Sequence, residues 1–198
     1  MNDIFFTADW HFGHSNVIPY SNRPFLQEGD ILGKDTNNKY IWVSDNIRNQ
    51  RAEEMKEFLI EKHNAIVKKG DLVYFLGDIG LFKGNDYKKK IENLADRLNG
   101  QIHWIFGNHD SRKMQKAEGF AWKGHLKIVR IEHCTLMLCH YPMHEWYGSR
   151  KGSWNLHGHC HGRLLPVPNK LRLDVGIDTS NYVPLNWEEV KGKIRNGR

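Results

Sequence analysis

Residue types that bind transition metals recur at five places in the chain, each closing a short apolar run: Asp9-x-His11, Gly77-Asp78, Gly107-Asn108-His109-Asp110, His140 and His157-Gly158-His159-x-His161. Neutral imidazole is the commonest protein ligand for such metals. Two Asp, one Asn and four His drawn from these places exceed what a single four-coordinate ion takes, but they suit two ions sharing a carboxylate. Two divalent ions about 4 Å apart clamp a phosphate, stabilise charge on its attacking and leaving oxygens, and generate hydroxide near neutral pH. With two ligand carboxylates against about four units of metal charge, such a centre stays positive and attracts an anion, phosphate above all.

The elements that must position these residues follow from hydrophobic periodicity. Strand-like runs are expected at 4–8, 72–76, 102–106, 126–132, 135–139, 154–157 and 171–177, alternating in the first half with helical patterns at about 44–67 and 86–98. The first helix should turn Ile47, Met55, Phe58, Leu59, Ile66 and Val67 toward the core. Asn186 and Glu189 have capping-box spacing for a last helix. The polar stretch from His11 to about Trp42 reads as a long irregular connection, of a length that is usually functional or mobile. Alternating strands and helices point to an α/β domain, in which strand carboxyl ends converge on one edge. At 198 residues, one domain spanning 1–198 is the default.

The ordered set of five blocks resembles the calcineurin-like metallophosphoesterases, and the length resembles their small bacterial and phage-type members. The resemblance implies a four-layer α-β-β-α sandwich around two divalent transition-metal ions, manganese first, with Fe, Zn, Ni or Co as alternatives. Carried over residue by residue, it implies one ion held by Asp9, His11 and His161, another by Asn108, His140 and His159, and Asp78 bridging them. Metal-bridging hydroxide would attack phosphorus. His109 would protonate the leaving oxygen or stabilise the transition state, with Asp110 orienting its imidazole. The chain departs from many members at Gly77-Asp78-Ile79-Gly80, which has no further acid, and at Cys139-His140-Tyr141. Neither departure removes a ligand.

The expected activity is phosphate-ester hydrolysis. A small member without a capping domain has an open site that admits a diester, so a phosphodiesterase acting on nucleotide or nucleic-acid-type substrates is expected. A phosphomonoesterase on the same centre, or a non-catalytic scaffold of the same fold, is the alternative. The retained His109 and full ligand set argue for turnover. Substrate contacts are expected from His14 and Arg23 in the long connection, though Arg23 could equally serve a loop-stabilising ion pair. His157 either supports the ligands or lies at the surface. Strand alternation would point Cys160 away from its histidine neighbours, as a packing residue. Trp10, Trp146, Tyr147 and Trp154 either pack or rim the pocket.

Composition sets outer bounds. Three cysteines without C-x-x-C spacing give neither a disulfide framework nor a zinc finger. No apolar run is long enough to span a bilayer, and the first strand begins too early to leave room for a signal peptide, so a cytoplasmic protein is expected. The net charge of +6 favours an anionic partner, a phosphorylated small molecule or a nucleotide, although Lys68-Lys69 and Lys88-Lys89-Lys90 read as ordinary solvated clusters. No membrane and no obligate protein partner is expected.

Overall fold

The computed structural model of the chain describes residues 2–82, 86–164 and 171–196. Strand β1 (Ile4–Thr7) leads through a short helix α1 (Val17–Tyr20) and the strands β2 (Ile31–Lys34) and β3 (Tyr40–Trp42) to the long helix α2 (Asp45–Ile66). Strand β4 (Leu72–Leu76), helix α3 (Tyr87–Ala95), strand β5 (Gln101–Ile105) and the short strand β6 (Trp122–Gly124) follow. The second half contributes β7 (Leu126–Ile131), β8 (Cys134–Cys139), β9 (Trp154–His157), β10 (Arg172–Asp174), β11 (Leu185–Asn186) and helix α4 (Trp187–Asn196). The expected irregular connection therefore contains α1 and the antiparallel β2–β3 pair.

Two sheets carry the fold. The first has the order β11-β1-β4-β5-β6 and the second β10-β9-β8-β7. Strands β1, β4 and β5 run parallel, as do β8, β9 and β10, while β7 is antiparallel to β8. Period-two alternation divides the first sheet's side chains between two cores, so its strands read as continuous apolar runs. Phe5, Val73, Phe75, Ile102 and Trp104 pack on α2 and α3 through Met55, Leu59, Ile60, Ile91 and Leu94. Phe6, Tyr74, Leu76 and Ile105 meet Leu136, Leu138, Trp154 and Leu156 of the second sheet, with Trp187, Val190 and Ile194 of α4 in the same cluster. On the far face of the second sheet, Met137 and Cys139 are buried, and the 141–153 segment carries a 3-10 turn at Ser149–Lys151. Met143 N–H donates to Asn155 Oδ1 at 3.0 Å, tying that segment to β9.

Local chemistry explains the ends of the helices. Ser44 caps α2 by accepting from Ile47 N–H at 3.2 Å. The capping box of α4 forms in full: Glu189 N–H donates to Asn186 Oδ1 at 2.9 Å and Asn186 N–H to Glu189 Oε2 at 2.8 Å. The buried stripe of α2 is Arg51, Met55, Leu59 and His63, joined by Ile60, whereas Ile66, expected in the core, is exposed. Arg51 is neutralised where it is buried by Asp30 and Glu54. Among the described residues no helix is long and apolar enough to cross a membrane.

His63 gives α2 a pH-dependent contribution. Its Nε2–H donates to Asn99 O at 2.8 Å, and its Nδ1 is buried without a partner. Burial lowers its pKa to about 4 from the ordinary 6.5. A histidine depressed on folding contributes fully above the unfolded pKa. The contribution is lost as pH falls from 6.5 toward 4, because the unfolded chain takes the proton that the fold refuses. The expected loss is on the order of 3 kcal/mol. Urea midpoints measured across that range should fall more steeply for the wild type than for His63→Gln, and parallel curves would contradict this.

Candidate metal centre

All five blocks arrive at one edge, where the parallel strands of both sheets end. Backbone bonds stitch the strand ends together: Asp9 N–H to Gly77 O, His11 N–H to Asp78 O and Gly158 N–H to His140 O, each at 3.0 Å. Five of the prospective ligands have left-handed backbones: Asp9 (φ 62°), His11 (56°), Asp78 (55°), His159 (72°) and His161 (50°). Each such residue costs on the order of 1–3 kcal/mol and persists only when its surroundings over-determine it. One left-handed residue after a strand turns the chain sharply, which lets both neighbours in an x-separated pair face the same edge.

The donor atoms converge. Single ligand atoms of Asp9, His11 and His161 lie within 4.8 Å of one another, as do those of His11, Asp78 and His109, and those of Asp9, Asp78 and His140. Asp78 Oδ2 is 3.6 Å from His11 Nε2 and 3.4 Å from His140 Nε2. Asn108 Oδ1 lies 3.0 Å from His140 Nε2 and 2.9 Å from His159 Nδ1. Every residue named as a ligand from the sequence is therefore in this cluster. His109 joins its edge, its ring 5.1 Å from that of His11.

Hydrogen bonds on the far side of the rings select their tautomers. His140 Nδ1–H donates to Leu76 O at 2.8 Å and His161 Nδ1–H to Asp178 Oδ2 at 2.6 Å, which leaves both Nε2 lone pairs for the cluster. His11 Nε2 is buried and has no hydrogen-bond partner. Burial pushes the Asp9 carboxyl up to about 7 and lowers the His11 imidazole well below its usual range. Burial also opposes charge on His140, yet the Asp78 carboxylate overcomes it and raises His140 to about 9. Buried carboxylates, lone pairs aimed inward and an orphaned ring nitrogen are the donor set a cation completes, so the residues fit divalent metal ions.

Two glycines fix how closely the blocks approach. A Cβ on Gly107 would lie 2.2 Å from Asp78 Oδ1, and one on Gly158 would lie 2.5 Å from Asp9 Oδ2. His109 N–H donates to Asp78 Oδ1 at 2.8 Å, and His159 N–H reaches both Asp9 oxygens at 3.1 and 2.9 Å.

Two expected roles need correction. Asp110 does not orient the His109 ring: its carboxylate accepts from Asp78 N–H (2.9 Å), Ile79 N–H (3.0 Å), Gly107 N–H (2.7 Å) and Trp104 Nε1–H (3.1 Å). It joins the second and third blocks through their backbones. Asp110→Ala is therefore expected to strand four donors, three of them buried, and cost on the order of 3 kcal/mol or more in urea unfolding. An unchanged midpoint would contradict that role. Arg23 is not available to substrate: its side chain is fully buried, paired with Asp178 at 2.8 Å, and bonded to Asp9 O and Trp10 O. The ion-pair alternative is the one that forms.

His14 lies at the rim, its ring 5.4 Å from His11 and 5.6 Å from His109. Burial, then the charges of His109 and Arg23, lower it to about 4, so it faces the centre neutral. His157 is buried, donating from Nδ1 to Gly158 O at 2.8 Å beneath the loop that carries His159. Cys160 occupies a turn, with its N–H on Gly158 O, so strand alternation does not govern it; burial pushes its thiol up. Trp10, Trp146 and Trp154 are buried, and Tyr147 is exposed. Sequence reading missed Asp178, although it follows a strand-like run as the other site acids do. It also missed Asp174, which accepts from Gly162 N–H at 3.0 Å and Gly176 N–H at 2.8 Å. A cavity of about 570 Å³ between His133, Thr135 and the 145–153 segment contains none of the convergent donors.

Comparison with known proteins bears on the family and the fold. An uncharacterized protein of Methanocaldococcus jannaschii is 30% identical over all of this chain and 94% of its own length. The gene 66 protein of Mycobacterium phage D29 is 24% identical over 94% of each chain. The crystal structure of a protein of unknown function from Aquifex aeolicus superposes with a TM-score of 0.67 at 19% identity, over 98% of this chain and all of that one, which shows the shared fold. The calcineurin-like phosphoesterase profile matches residues 3–192, and the chain belongs to that family.

Proposed function

We propose that this protein is a phosphodiesterase acting on nucleotide or nucleic-acid-type substrates with two divalent cations, manganese first among them. The observation that carries the reading is Asp78: one carboxylate oxygen lies 3.6 Å from His11 Nε2 and 3.4 Å from His140 Nε2, between two sets of donors. Asp9, His11 and His161 would hold one cation, Asn108, His140 and His159 the other, with Asp78 shared. When bound, such a pair polarises the phosphoryl oxygens and lowers the pKa of water between the ions.

The chain's own residues do the rest. His109 borders both the cluster and a cavity of about 320 Å³ lined by Leu81, Phe82, Tyr87, Ser111, Arg112, Lys113 and Met114. That cavity gives the second ester group of a diester somewhere to lie, with apolar walls for a ring and two cations for further phosphate. The leaving oxygen of a diester seated there faces His109, whose imidazole donates its proton. His14, held neutral beside it, offers a hydrogen bond rather than charge. The positive net charge assists capture of an anionic substrate.

Turnover of bis-(p-nitrophenyl) phosphate and p-nitrophenyl phosphate by protein loaded in turn with Mn²⁺, Fe²⁺, Zn²⁺, Ni²⁺ and Co²⁺ tests the reading. A higher kcat/KM for the diester supports it. Preference for the monoester makes the protein a phosphatase on the same centre. Absence of turnover with every ion makes it a scaffold.

A further inference from the structure

A guanidinium has five N–H donors in a fixed fork, and buried Arg23 directs all of them at different acceptors. Nε–H donates to Asp178 Oδ1 at 2.8 Å, and Nη2 to Asp178 Oδ2 at 2.9 Å and Asp9 O at 2.7 Å. Nη1 reaches Trp10 O at 3.0 Å and Met55 Sδ at 3.3 Å. Asp178 Oδ2 in turn accepts from His161 Nδ1–H at 2.6 Å. One side chain from the connection after β1 thus fixes the backbone of the first block and, through one carboxylate, the ring of the last. Those are the blocks carrying Asp9, His11 and His161. In the Asn108, His140 and His159 set, His140 is braced by Leu76 O, and among the described residues no hydrogen bond joins Arg23 or Asp178 to these three; the set meets the first where His159 N–H donates to the Asp9 carboxylate.

We propose that Arg23 and Asp178 are positioning residues dedicated to one of the two cation positions, the one formed by Asp9, His11 and His161, and that they set its affinity independently of the other. The inference builds on the two-cation reading above. Asp178 fixes the orientation and tautomer of the His161 ring by accepting from its Nδ1–H. Arg23 holds the Asp178 carboxylate in place with two N–H donors and locks the left-handed turn that aims Asp9 and His11 through its bonds to Asp9 O and Trp10 O. A lysine at 23 keeps the charge but cannot span these acceptors, because an ammonium has no planar fork.

The test is Mn²⁺ binding to the full-length wild type, Arg23→Lys and Asp178→Asn by equilibrium dialysis, with folding checked by circular dichroism. Loss of an outer partner of a ligand costs about 10- to 100-fold in metal affinity. The wild type should bind two Mn²⁺, and each variant should bind one with wild-type affinity and the other that much more weakly. Two ions bound with wild-type affinity by the variants would overturn the proposal, as would equal weakening of both, the mark of a general structural role. Should Arg23→Lys fail to fold, the isosteric Asp178→Asn decides. Fewer than two ions on the wild type would overturn the two-cation reading itself, and that result is read before either variant is compared.

Discussion

His109→Ala should lower kcat for diester hydrolysis by about 10²- to 10⁴-fold, the range spanned by removal of a general acid, while Mn²⁺ uptake stays at the wild-type level. The imidazole is at the edge of the cluster rather than within a cage: its ring is 5.1 Å from that of His11 and 5.6 Å from that of His14, and it opens on the cavity at Arg112 and Lys113. Its backbone N–H, which alanine retains, donates to Asp78 Oδ1 at 2.8 Å, so the loop geometry survives the substitution. Its side chain could also join His11 and Asp78 around one ion. Kinetics and metal content measured on the same sample separate these roles. A fall in kcat with full metal content marks a proton donor. A parallel loss of metal would make His109 a ligand and contradict the assignment.

The second large effect concerns Asp78, which can be disabled in two ways. Asp78→Asn keeps shape but removes the charge facing His11 and His140. A shared ligand should cost more than an outer partner does, so a loss of at least about a hundredfold in Mn²⁺ affinity is expected. Gly107→Ala leaves the carboxylate but puts a Cβ 2.2 Å from its Oδ1 and 2.5 Å from its backbone nitrogen. Neither group can yield, because Asp78 N–H is bonded to buried Asp110 and Oδ1 to His109 N–H. Gly107→Ala should therefore reproduce the metal-binding defect of Asp78→Asn and add a loss of thermal stability that the asparagine lacks. Normal metal binding in Gly107→Ala would show that Asp78 need not occupy this position.

The parts of the site legible in the sequence were those in which one short segment carries both the structure and the chemistry. Apolar runs closed by a short block containing Asp, Asn or His report a strand end and donors together, and all seven ligand candidates come from such blocks and lie in the cluster. Capping at Asn186 and Glu189 was legible for the same reason, since partners three residues apart are local. Arg23 and Asp178 are 155 positions apart, and no periodicity in either segment announces their pairing. Asp110 was assigned to its neighbour His109, yet its acceptors serve backbone groups as far away as Asp78, whose position only the fold determines. Strand alternation does not govern Cys160, because it lies past the end of β9, where left-handed turns at His159 and His161 replace the strand.

Anomalous diffraction from crystals grown with Mn²⁺ tests the centre of this account most directly. Two peaks about 4 Å apart are expected, on either side of the Asp78 carboxylate, one among Asp9, His11 and His161 and the other among Asn108, His140 and His159. A single peak, or a pair that Asp78 does not touch, would contradict it.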